Sequence, residues 1–274
     1  MKGNEPLRLR PRKRLGQHFL TDPRILDRIV RALALTGSET VVEIGAGHGA
    51  LTDRLVPHCR RLIAIELDRD LAPRLRERFA AKPRVTIVES DVLDVSLAEL
   101  AGGPYSVIGN VPYYITTPIL FHALHHPWPV RAVFLVQREV AERLRADPGG
   151  SEYGALSVNV QAVARVENLF RIAPGAFNPP PTVDSAVVRI TPRVDAVVAP
   201  DEEEAFRRFV QTVFAQRRKQ LRTIVRSLTQ IGADEATAIL ATCGIVPEAR
   251  PETLPAAQFA QLWRAVSGTV DERV

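Results

Sequence analysis

Hydrophobic and polar positions change period along this chain, and the changes predict its elements. Over residues 23–35 (Pro-Arg-Ile-Leu-Asp-Arg-Ile-Val-Arg-Ala-Leu-Ala-Leu) apolar residues recur at helical spacing, with Asp22 placed to cap the helix and Pro23 at its first position. Short apolar runs then alternate with amphipathic stretches. Strands are predicted at Thr40–Ile44, Leu62–Ile65, Val85–Val88, Tyr105–Ile108 and Ala132–Val136, with helices at Ala50–Val56, Asp70–Phe79, Pro118–Leu124 and Glu139–Arg145. Continuous apolar runs suit strands buried on both faces, which is the signature of βαβ units and a parallel sheet covered by helices. Val183–Thr191 reads as one further strand. Near residue 193 the strand pattern stops. From Asp201 onward the period is helical, in segments 201–216, 218–231, 234–242 and 255–267. The expected organisation is an α/β domain over 1–195, its first 15 residues a basic tail, and a small all-helical domain over 196–274.

Composition narrows the class. The 274 residues are 46% apolar and 24% charged, which fits a soluble globular protein. No run approaches the ~18 apolar residues of a membrane helix, and the N-terminal stretch lacks the apolar core of a secretory signal. Only two cysteines are present, Cys59 and Cys243. A disulfide framework or a cysteine zinc site is not expected, and a reducing cytoplasm is. The net charge of +5 is unevenly spread. Residues 2–14 hold Lys2, Arg8, Arg10, Arg12, Lys13 and Arg14 against Glu5. Residues 207–226 hold Arg207, Arg208, Arg217, Arg218, Lys219, Arg222 and Arg226 with no acid. Such clusters are either solvated faces or a footprint for a polyanion such as nucleic acid.

The first chemical signal is Thr40-Val-Val-Glu-Ile-Gly-Ala-Gly-His-Gly, a buried strand running into glycines 45, 47 and 49 with a helix after them. Glycines there let the backbone turn tightly and approach a ligand. In an open α/β sheet that place, the carboxyl end of a strand, is where ligands bind. Glu66 ends the next strand, where an acid grips ribose hydroxyls, and Asp91 with its neighbour Val92 follows the third, placed for an adenine amino group. A dinucleotide fingerprint spaces its glycines differently. Glu43, two residues before Gly45, sits badly beside a pyrophosphate and well beside a cation. S-adenosylmethionine (SAM) carries an amino group and a sulfonium and no phosphate. The pattern resembles the first motif of SAM-dependent methyltransferases, and the expected fold is therefore a Rossmann-like methyltransferase sheet with helices on both faces.

The second signal is Val107-Ile-Gly-Asn-Val-Pro-Tyr-Tyr after the fourth strand. An exocyclic base amine is a poor nucleophile, because its lone pair is delocalised into the ring. A protein helps by accepting both N–H bonds. Here the Asn110 side-chain oxygen can accept one and the Val111 carbonyl, held by Pro112, the other. Tyr113 offers a flat face for the base. Orientation then supplies most of the catalysis. Asn-x-Pro-Tyr resembles the fourth motif of adenine amino-methyltransferases.

Further blocks resemble one family, the KsgA/RsmA ribosomal RNA adenine dimethyltransferases. They are Arg14-Leu-Gly-Gln-His-Phe-Leu-Thr-Asp, Gln137-Arg-Glu-Val-Ala, Tyr153-Gly-Ala-Leu-Ser, Phe177-Asn-Pro-Pro-Pro-Thr-Val-Asp-Ser-Ala-Val-Val and Phe214-Ala-Gln-Arg-Arg-Lys-Gln-Leu-Arg, in family order. The resemblance implies SAM binding at His18, Leu20, Gly45, Glu66, Asp91 and Asn110, beside the Gly47 of the glycine turn, and an adenine held between Tyr113 and Phe177. His18 stands where the family commonly has Asn, and Tyr114 where it has a second Asn. The family dimethylates two adjacent adenines near the 3′ end of small-subunit (16S) ribosomal RNA within a partly assembled 30S particle. By resemblance and charge together, Arg217, Arg218, Lys219 and Arg222 are expected to meet RNA phosphates. A monomer acting in the cytoplasm, without membrane or metal, is the expected form.

Other signals weigh less. His122, His125 and His126 lack a carboxylate or cysteine arranged with them, so no metal site is expected there. Ser185 beside Asp184 is not a triad. The alternatives are a large-subunit RNA methyltransferase of the antibiotic-resistance type, a DNA adenine methyltransferase, a binding module that no longer methylates, and a NAD-dependent dehydrogenase. The last is disfavoured by Glu43 and by the glycine spacing.

Overall fold

The computed structural model describes residues 18–271. The basic N-terminal run and residues 14–17 of the first family-like block lie outside them. The elements in chain order are β1 (Phe19–Leu20), α1 (Pro23–Ala32), β2 (Thr40–Ile44), α2 (Ala50–Leu55), β3 (Arg61–Glu66), α3 (Leu71–Phe79), β4 (Val85–Glu89), α4 (Leu97–Ala101) and β5 (Tyr105–Asn110). There follow α5 (Thr116–Ala123), β6 (Arg131–Gln137), α6 (Arg138–Arg145), α7 (Ala155–Val163), β7 (Ala164–Ile172), β8 (Phe177–Asn178) and β9 (Ser185–Pro192). The chain ends in α8 (Glu203–Phe214), α9 (Leu221–Thr229), α10 (Ala233–Thr242) and α11 (Ala256–Asp271).

One sheet has strand order β4-β3-β2-β5-β6-β9-β7, and β1 and β8 form a separate two-stranded pair. The pairs β2–β3, β2–β5 and β3–β4 are parallel. Every residue of β2 is buried, as a central strand covered on both faces requires. Strand order reverses direction about β2, since β3 lies on one side of it and β5 on the other. The switch point therefore lies at the carboxyl end of β2, where the glycine turn begins.

The elements expected from periodicity are present, with ends shifted by a few residues. Asp22 caps α1 as expected, accepting from the backbone N–H of Arg24 at 2.8 Å and of Ile25 at 3.3 Å. The strand β7 and helix α7 had no expectation. Their apolar residues run on from Ala155 to Ala164 without a turn signal, and β7 alternates weakly, with four of its nine residues half-buried and three exposed.

The chain forms two compact units rather than dividing at residue 195. One holds residues 18–119, 133–138 and 170–187, and the other 120–132, 139–169 and 188–271. The helices after 195 share a unit with residues 120–132 and 139–169. In the second unit α11 packs on α7, α9 and α8, and the Tyr153 hydroxyl donates to the Leu254 carbonyl at 2.8 Å. Those contacts draw the segment around α7 out of the α/β order and into the helical unit. Phe206, Phe259 and Tyr153 are fully buried there, with Phe259 stacked on Phe214.

Candidate active site

A cleft of about 930 Å³, open mouth included, lies in the first unit at the carboxyl ends of β2 to β5. That is enough for a cofactor-sized molecule. The glycine turn forms one wall. Gly45 and Ala46 both donate to the Ile65 carbonyl, at 2.9 and 3.3 Å, which stitches the turn to β3. Gly47 has φ +58°, and a Cβ there would lie 2.9 Å from the Phe19 ring. Its N–H donates to Glu66 Oε2 at 2.7 Å. Gly49 starts α2 at φ +80°, where a Cβ would press on Leu75 and Phe79 at 3.0 Å. Left-handed backbone and close neighbours together require glycine at both positions.

Glu66 is buried and held at both oxygens, since Oε1 also accepts the Asp68 N–H at 2.8 Å. Burial raises its pKa, against the pull of these backbone hydrogen bonds. Each oxygen keeps a lone pair for a ligand hydroxyl. Asp91 serves two purposes. Its Oδ1 caps the turn at Val92–Asp94 by accepting from Leu93 N–H at 3.0 Å. Its Oδ2 has no partner among the described residues, and the residue lines the cleft beside Ser90 and Val92.

The Asn-Val-Pro-Tyr stretch forms the facing wall. Asn110 Nδ2 donates to the His18 carbonyl at 3.0 Å. A carbonyl can only accept, so this contact fixes which way the amide faces and leaves Oδ1 as the acceptor turned from it. The Pro112 carbonyl accepts from Ile115 N–H at 3.2 Å and from Thr116 Oγ1 at 3.1 Å, which braces the turn that carries Tyr113 and Tyr114. The Tyr113 ring stacks near the His18 ring at 5.7 Å, 27° from parallel. His18 Nδ1 lies 2.9 Å from the Pro179 carbonyl, a contact that needs the proton on Nδ1. The pairing of β1 with β8 continues this clasp, with Leu20 opposite Phe177.

The cleft thus brings together His18, Gly45, Gly47, Glu66, Asp91 and Val92, and also Asn110, Val111, Pro112 and Tyr113. Three expected residues are not on its wall. Leu20 is buried in β1 and lines a second cavity beneath the glycine turn. Glu43 lines that same second cavity, because strand alternation points it and Ile44 to opposite faces of β2. Its Oε2 accepts from Thr52 Oγ1 at 2.7 Å. Burial pushes its pKa up to about 8, so at neutral pH it is a neutral acid rather than a counter-charge. Phe177 is only 4% exposed, its backbone engaged with β1.

Sequence reasoning missed Phe19, Leu67, Ser90 and Tyr114 on the wall, and Ser185 behind it. Tyr114 adjoins a recognised motif. Ser185 carried no usable signal, because its partner is Tyr113, 72 positions away. Arg217, Arg218 and Lys219 are exposed on the loop between α8 and α9, and Arg222 is half-buried at the start of α9. None of the four has an acidic partner among the described residues.

Comparison with known proteins bears on this arrangement. Residues 8–267 match the family model "Ribosomal RNA adenine dimethylase". The chain is 46% identical over 256 residues to a ribosomal RNA small subunit methyltransferase A of Acidobacterium capsulatum, covering 92% of this chain and 90% of that protein. It is 42% identical to the protein of that name from Pseudomonas putida, covering 94% and 96%. Among solved structures it is similar to a dimethyladenosine transferase from Plasmodium falciparum, with TM-score 0.79 and 25% identity over 92% of this chain and 98% of the other. It is also similar to the 23S rRNA methyltransferase ErmE, with TM-score 0.70 and 26% identity over 91% and 99%.

Proposed function

The chain belongs to the ribosomal RNA adenine dimethylase family, and on that premise we propose that it transfers methyl groups from SAM to the N6 amines of two adjacent adenines near the 3′ end of small-subunit ribosomal RNA. The donor set of the cleft fits SAM. Among the described residues no lysine or arginine lines it, whereas Glu66 and Asp91 do. The charged side chains a phosphate group would meet there, among the described residues, are carboxylates, while ribose hydroxyls, an adenine amino group and a cationic centre all find acceptors. Glu66 would hold the ribose, Asp91 the adenine edge, and the turn at Gly45 and Gly47 would lie against the amino acid part. When bound, SAM supplies an electrophilic methyl carbon on a good leaving group, so no strong base is required of the protein.

The observation that carries the proposal is the committed amide of Asn110. With Nδ2 held by the His18 carbonyl, Oδ1 is presented as an acceptor before any substrate arrives. It accepts one N–H of the target amine and the Val111 carbonyl accepts the other. Both interactions strengthen as the nitrogen becomes tetrahedral and positive, so they favour the transition state over the ground state. Tyr113, held by Ser185, supports the base in plane. A base inside RNA must leave its stack to reach this position.

The substrate we infer is a partly assembled 30S particle in the cytoplasm, met by the exposed cations of the loop between α8 and α9. We infer that the chain acts as a monomer. Among the described residues no helix is long and apolar enough to cross a membrane. The test is methyl transfer from SAM to unmodified small subunits, followed by nuclease digestion and mass spectrometry for N6,N6-dimethyladenosine. Asn110→Ala is expected to lose at least about a hundred-fold in kcat with its melting temperature kept. Full activity in that variant removes the catalytic assignment. Product on large-subunit RNA alone moves the substrate to that of the ErmE type.

A further inference from the structure

Of the four tyrosines, Tyr105 and Tyr153 are buried and Tyr113 is half-buried, whereas Tyr114 is 64% exposed. We propose that Tyr114 is a stacking platform for the nucleotide next to the target adenine, and so a determinant of how the RNA strand is seated. The proposal rests on the reading of the cleft as an adenine amine site.

Three features converge. First, Tyr114 lines the same cleft as Asn110 and Tyr113, so its ring belongs to the site and not to a distant surface. Second, the backbone beneath it is fixed. Tyr113 to Ile115 form a single turn closed onto the Pro112 carbonyl, with Thr116 Oγ1 on the same oxygen. The two neighbouring rings differ in fate: Tyr113 is tied to Ser185, and Tyr114 has no hydrogen-bond or ring partner among the described residues. Third, the exposed ring contributes little to the core, so stability does not account for an aromatic side chain there.

The substrate supplies the partner. A target adenine drawn into the cleft leaves its stack, and the adjoining nucleotide loses one stacking face while staying covalently one unit away. An exposed aromatic ring at the cleft replaces that lost face. Base stacking on aromatic side chains is tolerant of sequence and strong enough to matter for affinity. A cation would hold the phosphates equally well anywhere along the strand, but a ring beside Tyr113 sets the register of the flanking base. The other use of such a ring is to cover the cofactor, and the measurement separates the two.

The full-length chain is compared with Tyr114→Ala, Tyr114→Phe and Tyr114→Trp. The probe is a short RNA containing the target adenine, with the fluorescent base 2-aminopurine at the nucleotide on one side or the other. Binding quenches the 2-aminopurine at one of the two positions in the wild type. Tyr114→Ala is expected to lose this quench and, with unmodified small subunits as substrate, to raise KM about tenfold, the loss falling on KM rather than kcat. SAM affinity and melting temperature stay as in the wild type, and Tyr114→Phe and Tyr114→Trp restore both quench and KM. Unchanged quench and KM in Tyr114→Ala overturn the platform. A weakened SAM affinity with RNA binding intact also overturns it, in favour of a cofactor cover. Absence of N6-methylated product when the wild type is given unmodified small subunits overturns the adenine reading, an outcome distinct from both.

Discussion

The Tyr113 hydroxyl lies 2.5 Å from the Ser185 hydroxyl, a hydrogen bond that ties the cleft wall after β5 to the first residue of β9. Ser185 is fully buried, and burial raises the pKa of Tyr113, so its hydroxyl stays protonated across the working range. The pair fixes the plane of the ring that we propose supports the base. Ser185→Ala and Tyr113→Phe are each expected to lower kcat/KM several-fold. Because both remove the same bond, the double variant should be little worse than either single one, with a coupling of about 1 kcal/mol. Ser185→Thr, which keeps the hydroxyl, should recover activity. A double-mutant cycle on methyl transfer checks this, and additive losses would show that the bond does not position the ring.

Glu66 meets the glycine turn and the start of α3 through its two oxygens. Glu66→Gln keeps the shape but loses the charge and one acceptor. It should raise the SAM dissociation constant about tenfold or more, as expected for lost hydrogen bonds to a charged group. Isothermal calorimetry measures it directly. Unaltered affinity would remove Glu66 from the cofactor site.

Glu43 gives a pH signature. Its carboxyl sits at about 8 in the native state against an ordinary 4.5. Between those values the folded protein holds a proton that the unfolded chain has released. Stability is therefore fully present below about 4.5, falls as pH rises through this window, and levels off above about 8. Glu43→Gln lacks this titration. In urea unfolding the two proteins should run parallel at acid pH, and the wild type should fall behind by on the order of a few kcal/mol by pH 9. A constant difference from pH 5 to pH 9 would contradict the assignment.

The basic loop predicts a salt effect. Replacing Arg217, Arg218 and Lys219 by alanine should reduce the slope of log affinity against log salt by about two units on single-stranded RNA. SAM binding should be unaffected. An unchanged slope takes the loop out of the RNA interface.

Much of the cleft was legible because its chemistry is local. The glycines at 45 and 47 and the stretch from Asn110 to Tyr113 announce their backbone needs and their donors within a few residues. The β2, β3 and β5 strands follow from unbroken apolar runs, which only a doubly covered sheet can bury. Glu43 lies off the cleft for a physical reason. Spacing from Gly45 suggested a place at the ligand, but a strand turns successive side chains to opposite faces, and Glu43 lines the second cavity rather than the cleft. The division of the chain was likewise misread, because α7 joins the helical unit through contacts with α11 that lie about a hundred residues away along the chain.

The sequence by itself determined most of the alternation of strands and helices, the place of the glycine turn, the Asn-Val-Pro-Tyr stretch and the basic loop, since each is written in periodicity or in adjacent residue types. Tertiary structure alone decided which atom of Asn110 is left as an acceptor, that Ser185 holds Tyr113, and that Tyr114 is left open to solvent. These depend on partners brought close by the fold from distant points of the chain, and a hydrogen bond between such partners leaves no period, spacing or composition to read.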